Sequence, residues 1–471
     1  MQFRHSRFVC IFALIFVFVR PTLAELSPAP HVDPRVELLS IVFRLAGNSE
    51  YNMSPLKSYT ADIDAYFSPY KEHPAVALAR KLAGERDVGF DAVMSFAVHL
   101  SPAPALKPLV VFTEDVPDAR FGKDNAILLA QRLADFYRDT HFEKFFVAHQ
   151  SLYDLATERF RVVLSDLDLN WYKSFYGDVR MGQYHLILGM NNGGGNYGPR
   201  VVWSNGHEQF FSIIGCWTQD DSGNPTYSTD YLPTIIHEFN HSFVNPAFAK
   251  HKSEFASARQ VFERVADKMR AQAYGNSDTM VIESLVRAAV IEYLKSKGHE
   301  SSEIQRTIRE EQLIGFVWMD ELYELLHQYS AQRTRYPMFE SFMPVVAKFY
   351  SSLGPRISDK IASFSQRCVH VSGMQPFPNH SERVDPAIKE LVITFDKALD
   401  PHGYSISLGP DGNEHFPISG APEFLPDNLS IKLPVVLKPD WNYSFVLTPL
   451  AFASQDGYPL ESYMVAFKTR H

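Results

Sequence analysis

The sequence predicts an α+β protein in two parts. The first is mostly helical, with a small sheet just before one marked helix. The second is an all-β domain at the C-terminal end. Three observations carry this. Helical periodicity dominates residues 35–146 and 254–367; short apolar or alternating runs interrupt it between 159 and 216; from about Met374 twelve prolines punctuate short strand-like runs. The 471 residues are 45% hydrophobic and 21% charged, ordinary for a globular chain and enough for two or three cores. A net charge of −9 and a pI near 6.1 argue against nucleic acid as a partner.

Residues 1–24 read as a signal peptide. Arg4, His5 and Arg7 precede the apolar run Phe8–Val19, and Pro21–Ala24 offers a small-residue cleavage site. An uncleaved anchor is the alternative, but the run falls short of the roughly 20 residues that span a bilayer. The expected location is therefore exported (periplasmic, cell-surface or secreted, in a bacterium), with no transmembrane segment in the mature chain. Cys216 and Cys368 remain after cleavage. One bridge between them is open; a disulfide framework is not.

The first part spans residues 25–373, and 25–150 form its helical N-terminal portion. A Pro-rich lead-in, 25–34, precedes helical patterns at Arg35–Ala46, Ile63–Phe67, Ala75–Gly84 and Asp91–His99, then a long one at Asn125–Phe146. Arg159–Leu164, Tyr184–Met190, Val201–Trp203 and Gln209–Cys216 read as strands. The Gly-rich run Asn191–Pro199 joins two of them. It lacks the Lys-Ser/Thr ending of a phosphate loop. It reads as a flexible hairpin loop, or as a loop beside a cleft where another backbone comes close. Helices resume at Glu254–Tyr274, Thr279–Lys297, Ser301–Arg333 and Phe339–Arg367. Residues 374–471 read as an all-β sandwich, with strands at Leu391–Phe395, Tyr404–Leu408, Leu429–Leu433, Tyr443–Leu447 and Met464–Phe467.

The marked helix lies within Asp230–Asn245 and carries His237, Glu238 and His241, the pattern H-E-x-x-H. On a helix the two histidines sit one turn apart on one face and can hold one Zn²⁺. Glu238 is turned by about 100° from His237, which suits a group that acts on the water and does not ligate. Thr229 or Asp230 is placed to cap the start, Pro233 fits the first turn, and Asn245-Pro246 is placed to end it. The alternative is a chance match on a core helix. Against it, an otherwise apolar helix bearing two His and a Glu is costly unless those groups are partnered. A short sheet followed at once by such a helix, and then by more helices, is the layout of zincin-type metallopeptidases.

Catalytic zinc usually takes three protein ligands and leaves one position for water. Val244 and Ala247 stand where the metzincin pattern needs Gly and His, and His251 sits beyond Pro246 in a basic patch. Glu283 is the better third ligand. Its helix face is apolar except for Arg287 one turn on, so its carboxylate needs a cation. A structural Glu283–Arg287 pair is the alternative; Glu254, Glu263 and Glu292 are weaker ligand candidates, with Glu292 reading as a solvent-face residue. Arg287 is expected to orient Glu283 from behind.

Val36–Tyr51, the Gly-rich run, His237-Glu238-Phe239-Asn240-His241 and Glu283–Ala288 together resemble the DUF4932 family of exported bacterial proteins, over roughly residues 35–370. The resemblance implies a gluzincin-like metallopeptidase and no particular substrate. Val384–Asp400 resembles the opening of bacterial Ig-like domains that accompany exported enzymes, which implies spacing or attachment. The expected function is thus an exported zinc metallohydrolase, a peptidase acting on a peptide or protein substrate. His237, His241 and Glu283 would hold the Zn²⁺ and Glu238 would be the general base. The alternative is a non-catalytic surface or periplasmic binding protein with a structural or vestigial zinc site. A hydrolase of non-peptide amides or esters would use the same water activation. The sequence singles out no residue for the oxyanion.

Overall fold

A computed structural model describes residues 29–177, 182–449 and 451–471. The expected signal peptide, 1–24, lies outside them. The N-terminal portion is helical: α1 (Pro34–Ala46), α2 (Lys57–Phe67), α3 (Pro74–Arg86), α4 (Phe90–Val98), α5 (Lys123–Asp139), α6 (Phe142–Ala148), α7 (Gln150–Phe160) and α8 (Asn170–Tyr176). Asp33 caps α1 by accepting from the Arg35 N–H, and Gly47 closes it in a left-handed conformation. The single long helix expected over Asn125–Phe146 breaks into α5 and α6, because His141 takes a left-handed φ of 51°. Arg159–Leu164 is not a strand but the end of α7 and a 3₁₀ turn. Phe160 and Val163 are buried there while Val162 is exposed, a period of three and not two.

A three-stranded sheet follows: β1 (Gly182–Gly189), β2 (Arg200–Val202) and β3 (Glu208–Gly215), in the order β1-β3-β2, with β1 parallel and β2 antiparallel to β3. The lead-in covers the outer side of β1, where His31 pairs with Ile187. β2 is the other edge. A short hairpin, β4 (Thr218–Gln219) with β5 (Pro225–Thr226), leads to α9 (Leu232–His251). Then come α10 (Ala258–Ala271), α11 (Ser277–Ser296), α12 (Ser301–Leu313), α13 (Met319–Ala331), α14 (Met343–Leu353) and α15 (Ile357–Arg367). The run expected as one helix over Ser301–Arg333 splits near Gly315, whose φ is 123°. Phe339–Arg367 likewise divides, into α14 and α15, each preceded by a 3₁₀ turn. α9 packs on β3 and on α11, so the sheet and a later helix sandwich the H-E-x-x-H segment.

The C-terminal region is all-β: β6 (Val371–Gln375), β7 (Glu390–Phe395), β8 (Ile406–Leu408), β9 (Glu423–Phe424), β10 (Ser430–Pro434), β11 (Asn442–Leu447) and β12 (Tyr463–Lys468). They form two antiparallel sheets, β6-β7-β10-β9 and β12-β11-β8. Alternate residues of both, among them Leu391, Ile393, Phe445, Leu447 and Val465, share a core separate from that of the helical body. Cys216 and Cys368 are buried free thiols, so no bridge joins them. Among the described residues no helix is long and apolar enough to cross a membrane.

Candidate metal centre

Pro233 sits in the first turn of α9, where its missing N–H costs nothing, and Ile235, Ile236, Phe239 and Val244 are fully buried. Neither Thr229 nor Asp230 caps this helix. The Ser228 hydroxyl accepts from the Asp230 N–H and closes a 3₁₀ turn just ahead of it. Nor does the helix end at Asn245-Pro246. Pro246 leaves the Ser242 carbonyl without its helical donor. Arg200 supplies one from β2, at 3.5 Å, and the helix continues to His251. Asn240 donates to the Val286 carbonyl at 3.2 Å and ties α9 to α11.

That contact brings three ligand-type side chains to one point. His237 Nε2 and His241 Nε2 stand 3.2 Å apart. Glu283 places Oε2 3.4 Å from the first and Oε1 3.5 Å from the second. Asn245 Oδ1 lies 3.1 Å from His241 Nδ1 and accepts its proton, which leaves the Nε2 lone pair facing inward. Two imidazole lone pairs at 3.2 Å repel unless a cation or a proton lies between them. Glu283 Oε2 is buried with no hydrogen-bond partner. Ligands about 2.0–2.1 Å from a tetrahedral zinc lie about 3.3–3.4 Å from one another. The histidine pair stands near that spacing and Glu283 turns one oxygen toward each ring. In this triangle one ligand atom from each residue lies within 4.8 Å of the others, and a donor set of two imidazoles and a carboxylate fits the ion. Among the described residues these three form the group of His, Cys, Asp and Glu side chains so arranged.

The electrostatics favour the ligating forms. Burial pulls His237 down to about 4, which keeps it neutral. Burial pushes Glu283 up, but the adjoining rings of His241 and His237, which act in this way only while they carry a proton, and the Arg287 guanidinium outweigh it and hold the carboxyl at about 2. Burial, and then the Glu283 charge, push Glu238 well above the ordinary carboxylate range. A divalent cation at the triangle would reverse that push. Arg287 approaches Glu283 Oε2 only to 3.9 Å. Its guanidinium is held by both oxygens of Glu311, at 2.9 and 3.0 Å, and donates to the Tyr274 hydroxyl at 2.9 Å. Arg287 therefore stands behind Glu283 and is not its close pair.

The other candidates lie elsewhere. Glu254 pairs with His251 at 2.6 Å and Glu263 with Arg259 at 3.0 Å, all outside the triangle. Glu292 is not on a solvent face: it is 5% exposed and meets His327 at 3.1 Å, because α11 is packed against α9, α10, α12 and α13. Three participants escaped the sequence reading, namely Asn245 as a partner of His241, Tyr274 and Glu311, whereas Gly198 lies in the Gly-rich run already offered as a loop beside a cleft. Only Asn245 had a signal, one helical turn after His241.

A cleft crosses the triangle. A cavity of about 680 Å³ on one side and one of about 910 Å³ on the other share Asn196, His237, Glu238 and Tyr274. The Gly-rich run thus ends beside the cleft. At Gly198 a Cβ would fall 1.9 Å from the Glu238 carbonyl oxygen, so only glycine lets the loop press against α9.

Residues 30–349 match the family described as a domain of unknown function, DUF4932. The chain belongs to the DUF4932 family. His237, His241 and Glu283 all lie inside the DUF4932 match, and the two C-terminal sheets lie outside it. No curated protein matches the chain. Similar solved structures include a surface layer protein SbsC (domains 1–6), at 12% identity and a TM-score of 0.18, covering 50% of this chain. This chain spans a third of that protein's length, 33%. The N-terminal part of the bacterial S-layer protein SbsC is similar at 12% identity and a TM-score of 0.17, with 54% of this chain and 60% of that one covered. At such TM-scores the likeness says nothing about fold or function.

Proposed function

We propose that this chain is an exported zinc metallopeptidase of the gluzincin type, acting on internal bonds of a polypeptide. The ligand cluster carries the reading: two imidazole nitrogens 3.2 Å apart each face a different oxygen of Glu283, at 3.4 and 3.5 Å, and one of those oxygens is buried without a hydrogen-bond partner. His237, His241 and Glu283 would hold the ion. When bound there, zinc supplies an acidified water and an electrophile for a carbonyl oxygen. Glu238 adjoins the triangle on α9 and lines both cavities. Its carboxylate takes a proton from the attacking water and returns it to the leaving nitrogen. Asn245 fixes the tautomer of His241, and Arg287 with Glu311 keeps Glu283 ionised and in place. The cleft opens on both sides of Glu238, which suits a chain that continues past the cut bond in both directions. The edge of β2 beside it suits an extended peptide bound by strand addition. The small sheet, the H-E-x-x-H helix and a Glu on a later helix support a zincin-like body. The two C-terminal sheets support an Ig-like domain for spacing or attachment, and residues 1–24 support export.

The test is elemental analysis of the purified chain beside His241→Ala, Glu283→Ala and Glu238→Gln. About one zinc per chain is expected in the wild type, lost in the first two variants and kept in the third. Glu238→Gln should also lose turnover of a denatured protein substrate. A wild type that takes up no zinc on reconstitution would return the reading to a binding protein; full turnover by Glu238→Gln would remove the general-base role.

A further inference from the structure

We propose that the apolar groove at the far end of β2 is a substrate subsite. It would take a large apolar side chain four to five residues N-terminal to the bond that is cut. This rests on the peptidase reading above.

The edge strand connects the groove to the metal triangle. Tyr197 pairs with Ile213 and Arg200 with Phe210 in one unbroken antiparallel register. Tyr197 exchanges both backbone hydrogen bonds with Ile213, at 2.9 and 2.8 Å, and the Pro199 carbonyl accepts from the Phe211 N–H at 3.0 Å. In such a ladder the alternate residues, here Gly198 and Val202, turn their N–H and C=O groups away from β3. They form a sheet edge of the kind that pairs with an incoming strand. Gly198 sits against the Glu238 backbone, at the site of chemistry. Val202 lies four residues on, about 13 Å at 3.3 Å per residue. There the groove begins, with a volume of about 680 Å³.

The groove and the metal cleft also share their walls. On one side both are bounded by the edge strand: Gly198 in the cleft, Val202 and Trp203 in the groove. On the other side, the segment that lines the groove with Val110, Val111 and Phe112 runs on to Asp118 and Arg120 in the cleft. Both walls of the groove carry apolar surface left open to solvent. Val111 is 81% exposed and Val202 43%. A peptide added antiparallel to β2 runs backward relative to it. With its scissile bond at Gly198, its N-terminal side reaches Val202. The lining then selects a Leu, Phe or Trp at that distance and not a charged residue.

The probes are twelve-residue Ser/Ala peptides in which one Phe, or one Lys, is placed at each position in turn. Their affinity for Glu238→Gln is read by anisotropy, and the bonds cut by the zinc-loaded wild type are read by mass spectrometry. A Phe in the groove should tighten binding about tenfold to a hundredfold over Lys, as full burial of one such side chain does. Val111→Asp, at an exposed wall position, should erase that preference and leave zinc content unchanged. Replacing Phe by benzoylphenylalanine should crosslink to residues 108–116 or 202–204. The wild type should cut four to five residues after the Phe. Equal binding of the Phe and Lys peptides, or crosslinks elsewhere, overturns the subsite. Cleavage without positional preference also overturns it and leaves the peptidase reading intact. Selective, groove-crosslinked binding with no cleavage keeps the groove as a peptide site and removes the peptidase reading.

Discussion

Replacing Gly198 by alanine tests whether the Gly-rich loop is seated against the metal helix. An added Cβ would lie 1.9 Å from the Glu238 carbonyl oxygen, 2.7 Å from its carbonyl carbon and 3.0 Å from its Cα. All three are backbone atoms of a helix held between β3 and α11, so no side chain can swing aside. The Gly198 backbone is not left-handed, so the cost is steric. Restoring van der Waals contact requires a relative shift of loop and helix of about 1–1.5 Å. Overpacking of this kind costs about 1–3 kcal/mol. Glu238 is the residue next to His237, so the shift falls on the two-histidine, one-carboxylate cluster that would hold zinc. A loss of zinc affinity of about 10- to 100-fold is expected, the range seen when the support of a ligand is disturbed. Gly194→Ala is the control: a Cβ there meets nothing within 4 Å, and the change should stay within about 0.5 kcal/mol. Urea unfolding reads the stability and competition with a chromogenic chelator reads the affinity. Gly198→Ala matching the wild type in both would refute the seating.

Two further outcomes are expected. Glu37 is fully buried, accepts from the Met190 N–H at 2.7 Å and from the Tyr59 hydroxyl at 2.7 Å, and burial pushes it up to about 7. Its folded value is above the unfolded one, so it stabilises fully below the unfolded pKa and loses that contribution as pH rises through 7. The loss from pH 4.5 to above 7 is about 3 kcal/mol. Urea unfolding at pH 5 and pH 8 should show this difference shrinking in Glu37→Gln; an unchanged pH dependence contradicts it. Glu311→Gln leaves the Arg287 guanidinium with the Tyr274 hydroxyl and a carboxylate 3.9 Å away. It should cost about 1.5–3 kcal/mol, as losing a charged hydrogen-bond partner does, and weaken zinc binding measurably; stability and affinity equal to wild type would show that the pair does not support Glu283.

Local chemistry was legible wherever one element decides it. The H-E-x-x-H spacing fixes two imidazoles on one face of any helix that forms, and the apolar surroundings of Glu283 demand a cation whatever packs on it. The alternating strands after residue 374 follow from side chains that must face one core. What failed in the sequence depended on neighbours. Asn245-Pro246 reads as a helix end because the lost hydrogen bond is visible in sequence, whereas the Arg200 guanidinium that replaces it comes from β2. Glu292 reads as solvent-facing because periodicity assumes one wet face, and α11 is enclosed by α9, α10, α12 and α13.

The amino-acid sequence by itself determined the residue types of the site, the two-histidine face and the division into a helical body and a β-rich end. Those are set by helix and strand periodicity, which are local. Only the tertiary structure decided that Glu283 meets His237 and His241, that Arg287 answers to Glu311, and that a backbone-tight glycine seats the loop beside Glu238. These are distances between elements remote in sequence, fixed by how α9 packs between the sheet and α11, and no periodicity encodes them.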